Sequence, residues 1–294
     1  MSLLLQYLGF GLVSAAILAL AAVGFTLQYE VTNVLNLAYG QVMTLGALAA
    51  YAVNRAGGGI WEMVVAGGLS GALFSMLLNR TVIAPFARRG LKLFGMIVVT
   101  LAISIVIGNL ALIAFGFGTF SYSLQTQMTS FLGMTFTGEQ LETIALAVAA
   151  MIAVRVLLQR TRLGRAMRAT STDPVLARAC GINTRLVADM AWGLSGVLCG
   201  VAGVTEAISV SAFSVTTGDG LLLTVVAAAV VGGIGQPYGA MLGALLIGVV
   251  TSLVGGYANP SYTEISAFVI LVAFLLFRPK GLLSGVVSER AVLV

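Results

Sequence analysis

Two long stretches of this 294-residue chain contain no charged residue, namely residues 93–138 and residues 220–260. About a quarter of the residues of an ordinary soluble domain are charged, whereas only 9% are charged here. A helix that crosses a bilayer needs about 20 mostly apolar residues. The sequence therefore predicts an all-α, polytopic membrane helical bundle of about eight or nine spans, some of them discontinuous, in a single domain over residues 1–294.

Apolar segments and basic loops alternate along the chain. The apolar segments are residues 5–28, 31–54, 61–79, 94–117, 142–158, 189–211, 218–234, 238–256 and 262–277. Basic residues concentrate in residues 80–92, 155–185 and 278–290, and loops of this kind stay on the cytosolic side. Nine crossings place the N-terminus outside. If residues 31–40 only dip into the membrane and return, the count is eight and the N-terminus lies inside, and both alternatives stay open.

The residue types that most enzymes and ion-driven carriers use are missing. The chain has no histidine, no glycine-rich P-loop for a nucleotide phosphate, and no pair of carboxylates at helical spacing inside an apolar segment. We therefore predict no catalytic residue, no metal ligand and no cofactor, and we do not expect an enzyme. The net charge of +5 reflects basic cytosolic loops rather than nucleic-acid binding.

A polar run interrupts the second apolar segment at Asn33, Asn36, Tyr39, Gly40 and Gln41. Polar side chains that face lipid cost free energy, so these groups should face protein or a water-filled path. The glycine permits a helix break or a close approach of two backbones. Two interpretations remain open: the run forms hydrogen bonds between helices, or it lines the path of a solute.

A second interruption contains Gly233, Gly235 and Pro237. Its G-x-G spacing does not indicate a dinucleotide site, because no strand precedes it and no βαβ unit surrounds it. We predict a helix break between two short membrane segments at this point.

The basic loop at residues 159–188 is predicted to contain a short helix. Asp173 can cap the free N–H groups of a helix start, Pro174 fits the first helical position, and Gly181 tolerates the conformation that ends a helix. A helix of about seven residues is unstable in water by itself. It therefore packs either on its own bundle or on another protein, and the residues alone do not choose between these.

Four stretches together resemble the branched-chain amino-acid permease family of bacterial ABC importers. They are NVLNLAYG at residues 33–40, GRAMRA with the following capped helix at residues 164–182, VGGIGQPYGA at residues 231–240, and FRPKGL at residues 277–282. The order of the motifs along the chain is also the order expected for that family. The resemblance extends along most of the chain.

The resemblance implies one permease subunit in the bacterial cytoplasmic (inner) membrane. Its implied partners are a second permease subunit, two ATPase subunits, an extracytoplasmic solute-binding protein and membrane lipid. The implied solutes are branched-chain or related small amino acids, and urea, amides or aromatic acids are the alternative within the family. A self-contained secondary transporter and an integral-membrane enzyme are the alternatives outside it.

The resemblance also assigns expected roles to individual residues. The solute-path candidates are the five residues of the polar run. The candidates for coupling to the ATPase are Gly164, Arg165, Asp173, Pro174, Ala177 and Gly181. Among these, we expect Ala177 to give the close approach to the ATPase that a larger side chain would block.

Overall fold

A computed structural model describes residues 2–123, 128–131, 134–278 and 281–282. Lys280 and Arg290 of the third basic cluster, and Pro279 of the FRPKGL motif, lie outside the described residues. The helices are α1 (Ser2–Thr32), α2 (Tyr39–Arg55), α3 (Ile60–Leu78), a π-helical turn (Asn79–Ile83), α4 (Ala84–Arg88), α5 (Leu93–Phe115), α6 (Gly138–Arg160), α7 (Arg162–Thr172), α8 (Pro174–Ala179), α9 (Thr184–Val210), α10 (Thr217–Gly232), α11 (Pro237–Tyr257) and α12 (Tyr262–Phe277). Two short strands, β1 (Met128–Phe131) and β2 (Met134–Thr137), pair antiparallel between α5 and α6.

Six of the described helical stretches are long and apolar enough to cross a membrane. They are Leu3–Thr32, Ile60–Arg88, Leu93–Phe115, Gly138–Arg160, Thr184–Val210 and Pro237–Tyr257. Two further apolar helices, α10 and α12, are shorter, with 16 residues each. The predicted helical membrane bundle is therefore confirmed, whereas the count of eight or nine spans is not. The β-hairpin is a feature that the all-α prediction lacked.

The chain divides into two compact units. Residues 1–26, 124–148 and 223–294 form the first, and residues 27–123 and 149–222 form the second. The helices α1, α6 and α10 each contribute residues to both units.

Close backbone contacts hold α3 against α9 at the centre of the second unit. A methyl group at Gly196 would overlap the carbonyl oxygen of Gly71, and one at Gly200 would overlap that of Gly67. Small residues at four-residue spacing allow membrane helices to approach this closely. Because both helices carry glycine where they cross, α3 and α9 pack closely together. Helix α2 packs against both of them.

In the first unit, the chain reverses between α10 and α11. Gly233 and Gly235 have left-handed φ angles of 112° and 82°, and Pro237 occupies the first turn of α11. Left-handed backbone suits glycine, and proline suits the start of a helix because it has no N–H to leave unpaired. Leu282, the last residue that the structure describes, also contacts this reversal, since its N–H donates to the carbonyl of Val231 over 3.1 Å.

Candidate solute path and coupling helix

The polar run begins where α1 ends. Asn33 adopts a left-handed φ of 52°, a conformation that asparagine tolerates better than most residues. Residues 33–38 are non-helical, so their backbone groups need partners other than a helix ladder. Thr100 of α5 supplies two of them: its Oγ1 accepts from the N–H of Leu37 over 3.3 Å and donates to the carbonyl of Leu35 over 3.1 Å.

Asn36 is buried and joins a network that links α1 to α9. Its Oδ1 accepts from the N–H of Ala38 over 3.0 Å, and its Nδ2 donates to Oε1 of Gln28 over 3.5 Å. The same Gln28 oxygen accepts from the hydroxyl of Ser195 over 3.2 Å. These bonds hold the non-helical segment on α9.

Tyr39 is almost fully buried at the start of α2. Its hydroxyl donates to the carbonyl of Ser195 over 3.4 Å, and its own carbonyl accepts from Sγ of Cys199 over 3.2 Å. Both partners lie near the middle of α9, which runs from Thr184 to Val210. The first residue of α2 therefore contacts the middle of α9 rather than either of its ends.

The first turn of α2 meets the first turn of α10. A methyl group at Gly40 would collide with the carbonyl oxygen of Gly218. Gln41 Nε2 donates to both carboxylate oxygens of Asp219, over 2.7 and 2.8 Å. Thr44 Oγ1 accepts from the N–H of Gly218 over 3.2 Å. Two helix N-termini thus lie together, with an acidic side chain at the contact.

The structure therefore brings four of the five polar-run residues, residues 36 and 39–41, into the protein interior, and it leaves Asn33 exposed. The side chains of Tyr39 and Gln41 form hydrogen bonds between helices, and Asn36, in the non-helical segment, bonds to Gln28 of α1. Whether the run also lines a solute path is a separate question, and that role remains a prediction.

Sequence reasoning overlooked one acidic residue beside this contact. Glu206 of α9 lines a cavity of about 10 Å³, together with Thr44, Ser214 and Thr217. This volume is close to the space that a single water molecule needs. The available signal was that Glu206 is an acid inside the apolar segment at residues 189–211.

The basic loop folds into two helices, α7 and α8. Thr161 caps α7 by accepting from the N–H of Gly164 over 3.1 Å. Gly164 packs so closely on the end of α6 that a methyl group there would overlap the carbonyl oxygen of Leu157. Arg165, the next residue, is exposed. Glycine at this position therefore lets α7 fold back on α6.

The short helix α8 is capped at both ends. Asp173 accepts from the N–H groups of Leu176 and Val175 over 3.0 and 2.8 Å, and these bonds lower the pKa of its carboxyl group. At the other end Gly181 has a φ of 82°, and the N–H of Ile182 donates to the carbonyl of Ala177 over 3.0 Å. This is the Schellman arrangement that ends many helices.

The faces of α8 correct one expectation from the sequence. Ala177 is only 5% exposed, so its side chain already packs against this chain. Val175 and Leu176 are 65% and 62% exposed and form the outward apolar surface. We therefore assign the close-approach role expected of Ala177 to the packing of α8 on its own bundle. The surface that another protein can cover is formed instead by Val175 and Leu176.

Residues 7–277 match the protein family described as branched-chain amino acid transport system / permease component. The chain belongs to this family. The match spans both compact units and includes the polar run, α8 and the α10–α11 reversal. The family is one of transport permeases rather than enzymes.

Relatives of this family match over nearly the whole chain. The high-affinity branched-chain amino acid transport system permease protein LivH of Escherichia coli (strain K12) is 26% identical, covering 97% of each chain. The probable branched-chain amino acid transport permease protein LivH of Methanocaldococcus jannaschii is 28% identical, covering 90% of this chain and 88% of its own. Among solved structures, PsaBC from Streptococcus pneumoniae in complex with Fab superposes with a TM-score of 0.53 over 94% of this chain and 93% of the other, at 14% identity. That likeness concerns the fold alone.

Proposed function

We propose that this chain is the membrane-spanning permease subunit of an ABC importer and forms the solute path for branched-chain or related small amino acids. The observation that carries the proposal is the family match over residues 7–277, together with full-length relatives named as permeases for these solutes. Its place is the bacterial cytoplasmic (inner) membrane. Its partners are a second permease subunit, two ATPase subunits and an extracytoplasmic solute-binding protein.

The proposal includes nine spans. In addition to the six full-length spans, the shorter helices α2, α10 and α12 also cross the membrane in this proposal. A late start explains the length of α2, because its first residue contacts the middle of α9. Nine crossings place the N-terminus outside, and they place the loop containing α7 and α8 in the cytosol, as its arginines require.

The solute path in this proposal passes the point where α2 and α10 begin. Helix N-termini carry partial positive charge, and interrupted membrane helices use them to hold anionic groups of solutes. An amino acid also carries an ammonium group, and Asp219 and Glu206 are the acids beside the two helix starts. The contact between Gly40 and Gly218 closes the site, so separating α2 from α10 would open it.

Energy enters through α8 in this proposal. The chain has no P-loop, so ATP hydrolysis must take place on another subunit. The exposed Val175 and Leu176 offer an apolar surface on a helix whose two caps fix its position. An ATPase that covers this surface would transmit its motion to α9, which begins just after α8.

Uptake in a strain that lacks the chain tests the proposal. Labelled leucine, isoleucine and valine are compared with urea, a short amide and an aromatic acid, with and without the restored chain. We expect restored uptake of the branched-chain amino acids and co-purification of an ATPase. Restored uptake of urea or the amide alone would move the solute to the alternative class, and uptake with no ATPase requirement would indicate a secondary transporter.

A further inference from the structure

A second, larger cavity lies in the second unit on the side of the basic loops. It has a volume of about 850 Å³ and is bordered by the end of α1, the π-helical turn, α4, α8 and the start of α9. The arginines that line it come from four different elements: Arg80, Arg88, Arg178 and Arg185. Asp189 is the only acid among its lining residues.

The carboxylate of Asp189 already has partners within the chain. Its Oδ2 pairs with Nε of Arg80 over 2.8 Å, and its Oδ1 accepts from Nδ2 of Asn79 over 2.7 Å. Arg88, Arg178 and Arg185 form no ion pair with any residue that the structure describes. The cavity therefore has an excess of positive charge that its own walls do not neutralise.

A buried hydroxyl in the wall also lacks a partner. Thr170 is 5% exposed, lines this cavity, and has no hydrogen-bond partner for Oγ1 among the described residues. Buried polar atoms are nearly always hydrogen-bonded, so this hydroxyl needs a partner that the described residues do not supply, such as water or a bound anion. The first turn of α9, a helix of 27 residues, borders the same space at Thr184. Its partial positive charge favours an anion there.

We propose that this cavity binds the phosphate group of an anion at the cytosolic face, either a lipid headgroup or free phosphate. Arginine forms paired hydrogen bonds with phosphate, and a phosphate offers more acceptor oxygens than one carboxylate. In this proposal the phosphate is held by guanidinium groups from α4, α8 and α9, which line the same cavity, with Thr170 as a further donor. Such an anion would tie α8 to α4, and this goes beyond the transport function proposed above.

The test compares two double variants that remove the same charge. Arg88→Gln with Arg185→Gln removes two cavity guanidinium groups. Arg89→Gln with Arg162→Gln removes two exposed guanidinium groups that do not line the cavity. The full-length chain, purified with its co-purifying subunits, is placed in nanodiscs of phosphatidylcholine with or without phosphatidylglycerol. Retained phosphatidylglycerol is counted by native mass spectrometry, and labelled inorganic phosphate binding is measured in the phosphatidylcholine discs.

We expect the cavity variant to bind its ligand at least about tenfold more weakly, since it lacks two groups that donate charge-assisted hydrogen bonds. The control variant should bind as the wild type does. Loss of phosphatidylglycerol alone would identify the lipid headgroup as the source, and loss of inorganic phosphate alone would identify the free anion. Equal loss in both double variants, or no loss in either, would overturn the proposal.

Discussion

Replacing Val175 and Leu176 of α8 with serine should detach the ATPase from the permease. Fully burying a valine or leucine side chain contributes about 1.5–3 kcal/mol. These two side chains are 65% and 62% exposed. Burying the exposed part of each side chain under the ATPase therefore contributes about 1–2 kcal/mol to the free energy of binding. The double variant should therefore weaken ATPase binding by roughly 30- to 900-fold. Its caps, Asp173 and Gly181, are untouched, so α8 itself should remain folded.

The assay is binding of the purified ATPase subunit to nanodisc-embedded permease, with uptake measured in cells that express the same variants. The matched control is Leu186→Ser, which removes an apolar side chain that is 51% exposed in the first turn of α9 rather than on α8. The control should bind the ATPase normally. Unchanged ATPase affinity in the double variant, with normal amounts of permease in the membrane, would refute the assignment of this surface.

Three further predictions concern the packing of α9, the cap of α8 and the contact between α2 and α10. Gly200→Ala should destabilise the fold by about 1–3 kcal/mol, seen as a lower melting temperature, because its methyl group meets backbone; Gly59→Ala, which has open space, is the control. The lowered pKa of Asp173 means that the cap is fully formed above the ordinary pKa of aspartate and is lost as pH falls through the lowered value. The protection factors of the α8 amides, from which the intrinsic pH dependence of exchange has been divided out, should fall only at that acid limit, and a fall near neutral pH would contradict this. Gln41→Leu removes the amide that pairs with Asp219 and should reduce solute uptake while the amount of permease in the membrane stays normal. Wild-type uptake kinetics in this variant would show that the contact has a structural role and no role in transport.

Local features of this fold could be predicted from the sequence, and α8 is the best example. A cap depends on neighbouring residues, so Asp173, Pro174 and Gly181 were sufficient to predict a short helix with both ends defined. The side that α8 buries was harder to predict. A helix of six residues is too short to show a periodic apolar stripe, and Ala177 was consequently placed on the wrong surface.

The partners of the polar run could not be predicted, because they are distant in sequence. Gln41 and Asp219 are separated by 178 residues, and Tyr39 and Ser195 by 156. Sequence periodicity reports which residues share a face of one helix but not which helix lies opposite. The sequence could therefore predict that the polar run avoids lipid, whereas only the structure identifies the side chains that form hydrogen bonds with it.

ATP-dependent uptake into proteoliposomes tests the central claim most directly. The full-length chain is reconstituted with its co-purified ATPase and permease partners, the solute-binding protein is supplied outside, and labelled leucine is followed with and without ATP on the ATPase side. The account predicts that leucine accumulates only when ATP and the ATPase are both present. Leucine accumulation by the permease chains alone, driven by an ion gradient without ATP, would contradict it.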